Sequence, residues 1–579
     1  MQLRRTIRTR PRPPANPLRG STLHPVLQRI YHARGVTDPN ALDRGLHALI
    51  PSEQLSNSAT AARLIADAIV AGRSILIVGD FDADGATSCA VAVRALRAMG
   101  AEALDYLVPD RVTYGYGLSP EIVEVARARA PELLITVDNG VSSIAGVAAA
   151  KAAGMQVIVT DHHLPGAALP AADAIVNPAL ADDPFPSKCL AGVGVIFYVM
   201  SQVRVELRRR DWFAARGLAE PRLAELLDLV ALGTVADVVP LDRNNRILVE
   251  QGLRRIRQGH CVPGITALLE AGGRRPERLT SSDLGFVVGP RLNAAGRLDD
   301  MSIGIECLLA DSAEHARELA AELDGLNRER RAIEAKMRAQ AIEMVRGLTD
   351  ELAGGPLPRG LCLFDEDWHQ GVVGLVASRI KERLYRPVIA FAPGDGSVLK
   401  GSARSIPSLH IRDALDTIAT RHPELLQKFG GHAMAAGLSL ERERLDGFRR
   451  AFEDHVAEVL SDDDLEDVLL SDGELASGEM SLELAEALAR GGPWGQGFPE
   501  PIFHGEFEVL EQRVVGERHL KLLLRPYDGH LPLDAIAFHA DLEATPERMA
   551  RVLLAYRLEV NDYRGQRQPQ LVSVYYEPH

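Results

Sequence analysis

The sequence predicts an α/β protein whose main domain is built on a parallel β-sheet. Three apolar runs, "SILIV", "ELLITV" and "MQVIVT", have the length and composition of buried strands. The segments between them, 86–99 and 141–153, are rich in alanine and are followed by Gly100 and Gly154, as helices often are. Strands that alternate with helices in this way usually pair in parallel within one sheet.

Acidic and histidine side chains directly follow the apolar runs. The first run leads to Asp80, Asp82 and Asp84, the second to Asp138, the third to Asp161, His162 and His163, and a fourth apolar stretch, "LVALGTVA", leads to Asp237. The carboxyl ends of parallel strands share one edge of the sheet, where ligands bind, so we expect these side chains to converge there. One D-x-D-G stretch alone fits a solvated turn equally well, but four polar segments at one edge favour a site.

The residue types indicate which ligand this site holds. An EF-hand calcium loop beginning at Asp80 would need glutamate at its twelfth position, where the sequence has Val91. Carboxylates with one or two imidazoles suit Mn²⁺ or Mg²⁺ better than zinc or copper. So many carboxylates repel one another, and two divalent cations are the simplest way to neutralise them. Two such ions about 3.5–4 Å apart hydrolyse phosphate esters, which predicts phosphoester or phosphoanhydride hydrolysis.

The motifs, taken in order, resemble a known family. "DFDADG", "VDNG", "DHH" and "ADVVPL" are similar to the four motifs of the DHH phosphoesterase superfamily, and "GSARS" and "GGHAMAAG" resemble its DHH-associated domain. With "GPRLNAAGRLDD", "WHQGVVGLVASR" and "PWGQGFPEPIF", the resemblance extends over nearly the whole chain to the bacterial RecJ family of single-strand-specific exonucleases. Each motif alone is weak, but the ordered set is specific.

The resemblance implies which residues hold the two cations. Asp82 would bind one cation and Asp84 the other, while Asp138 would bridge both. His162 and Asp237 would complete the ligands of the second cation. The catalytic residues would therefore include all five of these side chains.

The resemblance also assigns two neighbours of the cations. His163 would lie beside the scissile phosphate, and Asp80 would be a ligand or would support one. Many members of the superfamily carry a histidine four residues before the first ligand aspartate, where this sequence has Val78. The first cation would then have fewer protein ligands.

A second set of residues would hold the substrate. Ser402 and Arg404 form a donor pair suited to a terminal phosphate. His432 follows two glycines that allow a close approach to phosphate, although a buried structural histidine is the alternative. Weaker candidates are three arginines that could each form an ordinary ion pair, Arg111, Arg291 and Arg297. Two aromatic residues, Trp494 and Phe498, could stack on bases or pack between domains.

The 579 residues exceed what one core usually supports, so three or four folded units are expected, within five segments. They are a helical cap (1–51), the metal-binding domain (52–311), a long connecting helix (312–354), a smaller α/β domain (355–460), and an acidic linker followed by a strand-rich barrel (461–579). The resemblance makes the fourth segment the DHH-associated substrate-binding domain. It makes the barrel an oligonucleotide-binding (OB) fold that binds nucleic acid.

Composition bears on partners and compartment. The net charge of −14 argues mildly against a nucleic-acid partner, but basic residues cluster at 4–12, 254–260 and 328–338, while acid is concentrated at 461–467. The five cysteines form no CxxC pair, which indicates a reducing cytoplasm. We find no apolar run long enough for a membrane span and no signal-peptide core. A cytoplasmic protein is expected.

The resemblance implies a 5′→3′ exonuclease specific for single-stranded DNA, which releases 5′-mononucleotides with two Mn²⁺ or Mg²⁺ ions in DNA recombination and repair. It also implies a single-stranded-DNA-binding protein and a RecQ-type helicase as partners, and we expect a monomer. Two alternatives stay open. One is a small-molecule phosphodiesterase or pyrophosphatase of the superfamily, against which the barrel argues. The other is a non-catalytic scaffold, against which the retained acids argue.

Overall fold

The computed structural model describes residues 5–11, 18–110, 113–351, 357–516, 518–540, 542, 545–563 and 565–579. The chain divides into two compact units. One unit contains 1–8 and 328–470, and the other contains 9–327 and 471–579. The five segment boundaries expected from the sequence remain predictions, since the division into units follows different limits.

Within the described part of the chain, the strands form four sheets. In chain order they are β1 Thr6–Thr9, β2 Ile75–Val78, β3 Leu104–Leu107, β4 Leu133–Val137, β5 Gln156–Thr160, β6 Ala174–Val176, β7 Leu361–Phe364, β8 Val388–Pro393, β9 Val398–Arg404, β10 Lys428–Gly431, β11 Ala435–Glu441, β12 Val468–Ser471, β13 Phe503–Val515, β14 His519–Pro526, β15 Leu533–Ala537, β16 Arg551–Tyr563 and β17 Gln566–Pro578.

Helices connect and cover the sheets. In chain order they are α1 Pro25–Ala33, α2 Ser58–Val70, α3 Ala83–Ala98, α4 Pro120–Arg127, α5 Ile144–Ala152, α6 Gly192–Arg209, α7 Trp212–Arg216, α8 Leu227–Ala236, α9 Arg243–Arg257, α10 Pro263–Ala271, α11 Ser281–Asp283, α12 Gly289–Leu298, α13 Ser302–Leu309, α14 Ala313–Glu351, α15 Val373–Leu384, α16 Ile411–Arg421, α17 Leu445–Val459 and α18 Leu482–Gly491. A π-helical turn, Leu284–Val288, lies between α11 and α12.

The larger unit contains the predicted parallel sheet. Its strand order is β3-β2-β4-β5-β6, and all neighbours pair in parallel. The three central strands are the three apolar runs, and β2 and β4 are buried along their whole length. The predicted α/β fold with a parallel sheet is therefore confirmed. Helix α3 begins three residues earlier than expected because Asp82 caps it.

The fourth apolar stretch is a helix, not a strand. Residues Leu227–Ala236 form α8, which is buried over most of its length, and Asp237 is its C-cap. Our expectation that Asp237 follows a strand of the sheet was wrong, because an apolar run that is buried all round gives no periodicity to separate helix from strand. Asp237 reaches the site from the end of this helix instead.

The smaller unit contains a mixed five-stranded sheet of order β10-β11-β9-β8-β7. Strands β7 and β8 are parallel, and the other neighbours are antiparallel. The long helix α14 spans 39 residues, as the glycine-poor sequence predicted. The boundary between the two units, after Asn327, falls inside this helix.

The C-terminal strands close into the predicted barrel. Its order is β13-β14-β15-β17-β16, and only the β15–β17 pair is parallel. Leu520, Leu522 and Leu524 alternate inward along β14 and are buried. This period of two fills the barrel interior and leaves the other side of the strand outside.

We expected the N-terminal segment to be purely helical, but it also contains a strand. Strand β1 pairs with β12 in a two-stranded sheet. Nε of Arg5 lies 2.7 Å from Oδ2 of Asp467, and Nη2 of Arg8 lies 2.8 Å from Oε2 of Glu466. The basic N-terminal cluster is thus partly neutralised by the acidic segment 461–467. Among the described residues, no helix is both long and apolar enough to cross a membrane.

Candidate active site

The loop after β2 is built by the N-terminus of α3. Asp82 caps this helix, and its Oδ1 accepts hydrogen bonds from the backbone N–H groups of Asp84 at 2.9 Å and Gly85 at 3.0 Å. A side chain at Gly85 would collide with the backbone of Asp80. The tight turn therefore buries Asp80 and Asp84 and leaves Asp82 half-buried.

Asp84 is held by the N-terminus of a second helix, α6. Its Oδ2 accepts from the backbone N–H of Gly192 at 2.6 Å, and its Oδ1 accepts from that of Val193 at 2.9 Å. These bonds and the helix dipole favour the ionised form. Burial and the charge of Asp82 nevertheless raise the pKa of Asp84 to about 7 in the metal-free protein. A bound cation would therefore stabilise the ionised carboxylate of Asp84.

Asp138 lies at the centre of the site. It follows β4 with a φ of 63°, a left-handed conformation that aspartate tolerates better than most residues. Its side chain is 2% exposed, and Oδ1 accepts no hydrogen bond among the described residues. Burial and then the charges of Asp84 and Asp82 raise the pKa of Asp138 well above its usual range. An added Cβ at Gly192 would lie 2.6 Å from both Cβ and Oδ1 of Asp138, so only glycine allows this approach.

Asp161 orients the two histidines that follow it. Its Oδ1 accepts from the backbone N–H groups of His162 at 2.7 Å and His163 at 3.1 Å, and lies 2.8 Å from Nδ1 of His163. Burial acts to raise the pKa of Asp161, but the hydrogen bond and charge of His163 outweigh it and lower that pKa. The pKa of His163 is raised, because the hydrogen bond and charge of Asp161 overcome the effect of burial. The sequence did not indicate this supporting role of Asp161.

The side chains meet in three overlapping groups with donor atoms within 4.8 Å of one another. The groups are Asp80 with Asp82 and Asp138, Asp84 with His162 and Asp237, and Asp138 with His162 and His163. Nε2 of His162 lies 3.1 Å from Oδ1 of Asp138, 3.5 Å from Oδ2 of Asp237 and 3.9 Å from Oδ2 of Asp84.

These groups fit two divalent cations. Oxygen and imidazole donors are the ligands that Mn²⁺ and Mg²⁺ take. The buried Oδ1 of Asp138, with a raised pKa and no hydrogen bond among the described residues, is an acceptor that a cation would satisfy. Val78 is buried and offers no donor atom, so the first group consists of carboxylates only. The individual ligand assignments stay predictions.

Two residues near the site were missed by the sequence analysis. Oδ1 of Asn293 on α12 accepts from the backbone N–H of Ala83 at 2.8 Å and so supports the aspartate loop. The hydroxyl of Tyr116 lies 3.0 Å from Nδ1 of His163 and donates to the backbone oxygen of Asp138 at 3.2 Å. The signal for Tyr116 was its place between two glycines in "YGYG", and the signal for Asn293 was its place within the motif "GPRLNAAGR".

Ser402 and Arg404 lie side by side on β9 of the smaller unit. Nη1 of Arg404 donates to Oγ of Ser402 at 3.0 Å and to the backbone oxygen of Ala403 at 2.8 Å. An added Cβ at Gly374, in the first turn of α15, would lie 2.8 Å from Nη2 of Arg404 and 2.9 Å from Oγ of Ser402. Glycine therefore lets the start of a helix approach this donor pair.

The other predicted substrate residues differ in their environment. His432 is exposed between β10 and β11, so the alternative of a buried structural histidine is wrong. Arg291 forms an ion pair with Asp324, at 2.9 Å from Nη2 to Oδ1. Arg297 is half-buried in the last turn of α12, and Arg111 lies outside the described residues.

Trp494 and Phe498 pack inside the larger unit. Their rings stack with centroids 5.1 Å apart, and Nε1 of Trp494 donates to the backbone oxygen of Leu488 at 2.9 Å. Phe498 is 2% exposed, and the guanidinium of Arg246 lies 4.1 Å from its ring centroid. Stacking on bases requires an open ring face, which Phe498 does not offer. Its predicted stacking role is corrected to packing.

Three family models match successive parts of the chain. They are the DHH family, N-terminal domain, over 74–234, the DHHA1 domain over 358–458, and the RecJ OB domain over 471–574. The single-stranded-DNA-specific exonuclease RecJ of Dickeya dadantii is 56% identical over 97% of this chain and 98% of its own. The chain belongs to the RecJ family. The Escherichia coli RecJ exonuclease is 54% identical over 95% of both chains.

Solved RecJ structures agree in fold. The crystal structure of RecJ from Thermus thermophilus in complex with Mn²⁺ matches all of this chain and 80% of its own, with 31% identity and a TM-score of 0.79. The Mg²⁺ complex of the same RecJ matches with 30% identity and a TM-score of 0.75. RecJ relatives therefore bind the two metals that the donor set here favours.

Proposed function

We propose that this chain is a metal-dependent exonuclease that removes 5′-mononucleotides from the 5′ end of single-stranded DNA. The observation that supports the proposal best is the set of three overlapping donor groups joined by Asp138 and His162, in a chain that belongs to the RecJ family. Solitary carboxylate clusters are common at surfaces, but this one is buried and raises the pKa of three of its own members, Asp84, Asp138 and Asp237. Such perturbed groups are typical of catalytic sites.

The protein residues hold the cations and orient the phosphate. Two divalent cations, Mn²⁺ or Mg²⁺, would supply Lewis acidity at the scissile phosphate and lower the pKa of the attacking water. Asp82 and Asp138, with Asp80 beside them, would hold the first cation. Asp84, His162 and Asp237, which form one donor group, would hold the second.

His163 would contact the scissile phosphate. Asp161 faces Nδ1 of its ring, and Nε2, which lies 3.4 Å from the hydroxyl of Tyr116, would donate a hydrogen bond to a phosphate oxygen. The raised pKa of His163 favours the charged imidazolium, which binds phosphate more strongly than the neutral ring. Burial of the surrounding carboxylates excludes water and strengthens each of these interactions.

Ser402 and Arg404 would recognise the 5′-terminal phosphate. Arginine offers a planar fork of donors, and the hydroxyl of Ser402 lies next to it on the same face of β9. The first turn of α15, where Gly374 approaches both side chains, would add backbone N–H groups and a favourable helix dipole. End recognition of this kind gives a 5′→3′ direction.

The biological setting is proposed from the family. The enzyme would act in DNA recombination and repair in the cytoplasm, as a monomer, with a single-stranded-DNA-binding protein and a RecQ-type helicase as partners. The barrel, which lies within the match to the RecJ OB domain, would add affinity for the strand.

One assay separates this function from its alternatives. The protein is incubated with 3′-labelled single-stranded DNA, the same DNA as a duplex, a dinucleotide and pyrophosphate, each with Mn²⁺, with Mg²⁺ or with EDTA. We expect metal-dependent release of mononucleotides from the single strand alone. Hydrolysis of the dinucleotide or pyrophosphate without degradation of DNA would support a small-molecule enzyme, and no hydrolysis with either metal would support a scaffold.

A further inference from the structure

Two exposed apolar residues belong to segments that meet at the end of α8, where Asp237 lies. Val238, directly after Asp237, is 62% exposed, and Phe286, in the π-helical turn before α12, is 80% exposed. Single exposed apolar residues are ordinary. These two are distinguished by backbone features that hold them in place beside the donor groups.

The π turn that carries Phe286 follows from the local sequence. Pro290 stands in the first turn of α12 within a nearly continuous helical stretch. In a regular α-helix its ring would clash with the backbone oxygen of the residue four positions earlier, which is Phe286. The chain instead forms a π turn, in which the N–H of Gly289 bonds to the oxygen of Leu284 five residues back. Such turns are frequent at functional sites.

The π turn lies against the end of α8, next to Asp237. An added Cβ at Gly285 would lie 3.2 Å from Cγ1 of Val235, and one at Gly289 would lie 3.2 Å from Cβ of Ala236. Phe286 stands between these two glycines in the chain. The turn that presents Phe286 is therefore packed on the residues immediately before Asp237.

Val238 is held in a strained conformation at the same place. Its φ is 62°, which a β-branched residue rarely adopts. Strain of this kind persists where the surrounding structure enforces it and clusters at functional sites. The strained residue exposes an apolar side chain to solvent, one position from a predicted metal ligand. A residue that packed in the core would be buried instead.

We propose that Phe286 and Val238 form an apolar ledge that contacts an unpaired nucleobase of the substrate strand next to the cleaved phosphate. The proposal rests on the proposed exonuclease function. A strand whose phosphate lies on the cluster would place an adjacent base near Val238, which is joined directly to Asp237. An aromatic ring binds any base by its face, so the contact is independent of sequence. A base stacked within a duplex does not offer that face, so the ledge also favours single strands.

The test compares Phe286→Ala, Phe286→Tyr and Phe286→Leu with the parent protein. The substrates are a 5′-phosphorylated single strand and the same strand with abasic residues at its first three positions. Val70→Ala, which removes an apolar side chain that is 47% exposed at the end of α2, is the control. Rates are measured with Mn²⁺, and affinity is measured by fluorescence anisotropy in EDTA.

We expect Phe286→Ala to lower kcat/KM on the natural strand by about 5- to 150-fold, the value of one base–aromatic contact. On the abasic strand it should match the parent, because the parent loses the same contact there. Phe286→Tyr should restore the rate, whereas Phe286→Leu should restore only part of it. Affinity in EDTA should follow the same order, and Val70→Ala should behave as the parent.

Three outcomes would overturn the ledge. Phe286→Ala could match the parent on the natural strand, or it could lose the same factor on both strands, which would indicate a structural role. Equal activity of the Leu and Tyr variants would show that position 286 makes no stacking contact with a base. In all three the parent still degrades single-stranded DNA, so the proposed function stands. A parent protein without exonuclease activity would instead refute the function on which the ledge rests.

Discussion

Nε2 of His162 lies 3.1 Å from Oδ1 of Asp138, a buried oxygen that accepts no hydrogen bond among the described residues. This pair joins two of the donor groups. Asp138 belongs to the group with Asp80 and Asp82, and His162 belongs to the group with Asp84 and Asp237. The two side chains come from the ends of adjacent parallel strands, β4 and β5.

Asp138→Asn should abolish catalysis while it leaves DNA binding largely intact. The substitution keeps the size of the side chain but removes the charge that would bridge both cations. We expect kcat to fall by at least about 10³-fold, equivalent to about 4 kcal/mol of transition-state stabilisation. Single-turnover assays with Mn²⁺ and anisotropy measurements of binding provide the two readouts. Activity above a tenth of that of the parent would contradict the bridging role.

The stability of the metal-free protein should fall as the pH rises from about 4 to about 7. The pKa of Asp84 is near its unperturbed value of 3.8 in the unfolded chain and about 7 in the fold. The folded protein therefore binds the proton more tightly, and this stabilisation is present below pH 4 and lost as the pH passes 7. Thermal denaturation in EDTA across this range measures the effect.

Added Mn²⁺ should reverse that loss of stability above pH 7. A cation that binds only the folded state raises the melting temperature in proportion to the logarithm of its concentration. In Asp84→Asn the pH dependence should weaken, because the titrating group is gone. A parent protein whose melting temperature responded to neither pH nor Mn²⁺ would contradict a cation site at this cluster.

Gly192→Ala should impair the enzyme far more than Gly194→Ala, although both lie in the first turn of α6. An added Cβ at position 192 would lie 2.6 Å from Cβ and Oδ1 of Asp138. At position 194 the nearest atom is Cδ2 of Leu190 at 3.2 Å, the end of a side chain that can move. We expect a loss of at least about tenfold in kcat/KM for Gly192→Ala, since small displacements of catalytic groups are costly. Similar rates for both variants would show that Asp138 tolerates displacement.

Arg404→Ala should slow the degradation of 5′-phosphorylated strands and affect 5′-hydroxyl strands much less. Loss of a charge-assisted contact costs about 1.5–3 kcal/mol, or roughly 10- to 150-fold. Two otherwise identical oligonucleotides labelled at the 3′ end provide the comparison. Arg421→Ala, which removes an exposed arginine paired with Glu458 in the same unit, is the control. An equal loss on both substrates, or digestion by the parent from the 3′ end, would show that Arg404 does not recognise the 5′-terminal phosphate.

Trp494→Ala should lower stability more than DNA affinity. The indole packs against Phe498 and Tyr31, and its N–H bonds to Leu488. Removal of a packed tryptophan costs about 3 kcal/mol. Chemical denaturation and anisotropy at a temperature where the variant is folded separate the two effects. If Trp494→Ala had a normal denaturation midpoint but bound DNA more weakly, the result would support base stacking by Trp494 and contradict a packing role.

The sequence alone determined the parallel sheet and most of the metal cluster. Strands buried on both faces require uninterrupted apolar runs, and polar residues follow where those runs end. Because the strands are parallel, Asp80, Asp138 and Asp161 marked one edge of the sheet. The ordered motifs then identified the family, and the strand-rich C-terminus predicted a barrel, which the closed sheet confirms.

Only the tertiary structure decided the features that depend on contacts distant in sequence. Asp237 reaches the cluster from the end of a helix, because a fully buried helix and a buried strand have the same apolar composition. Gly192 could not be linked to Asp138, 54 residues away in the sequence, until their close approach was known. Trp494 and Phe498 have the composition of a stacking surface, and only their partners show that they pack. Local patterns determine elements and their ends, whereas the packing between elements determines which side chains meet.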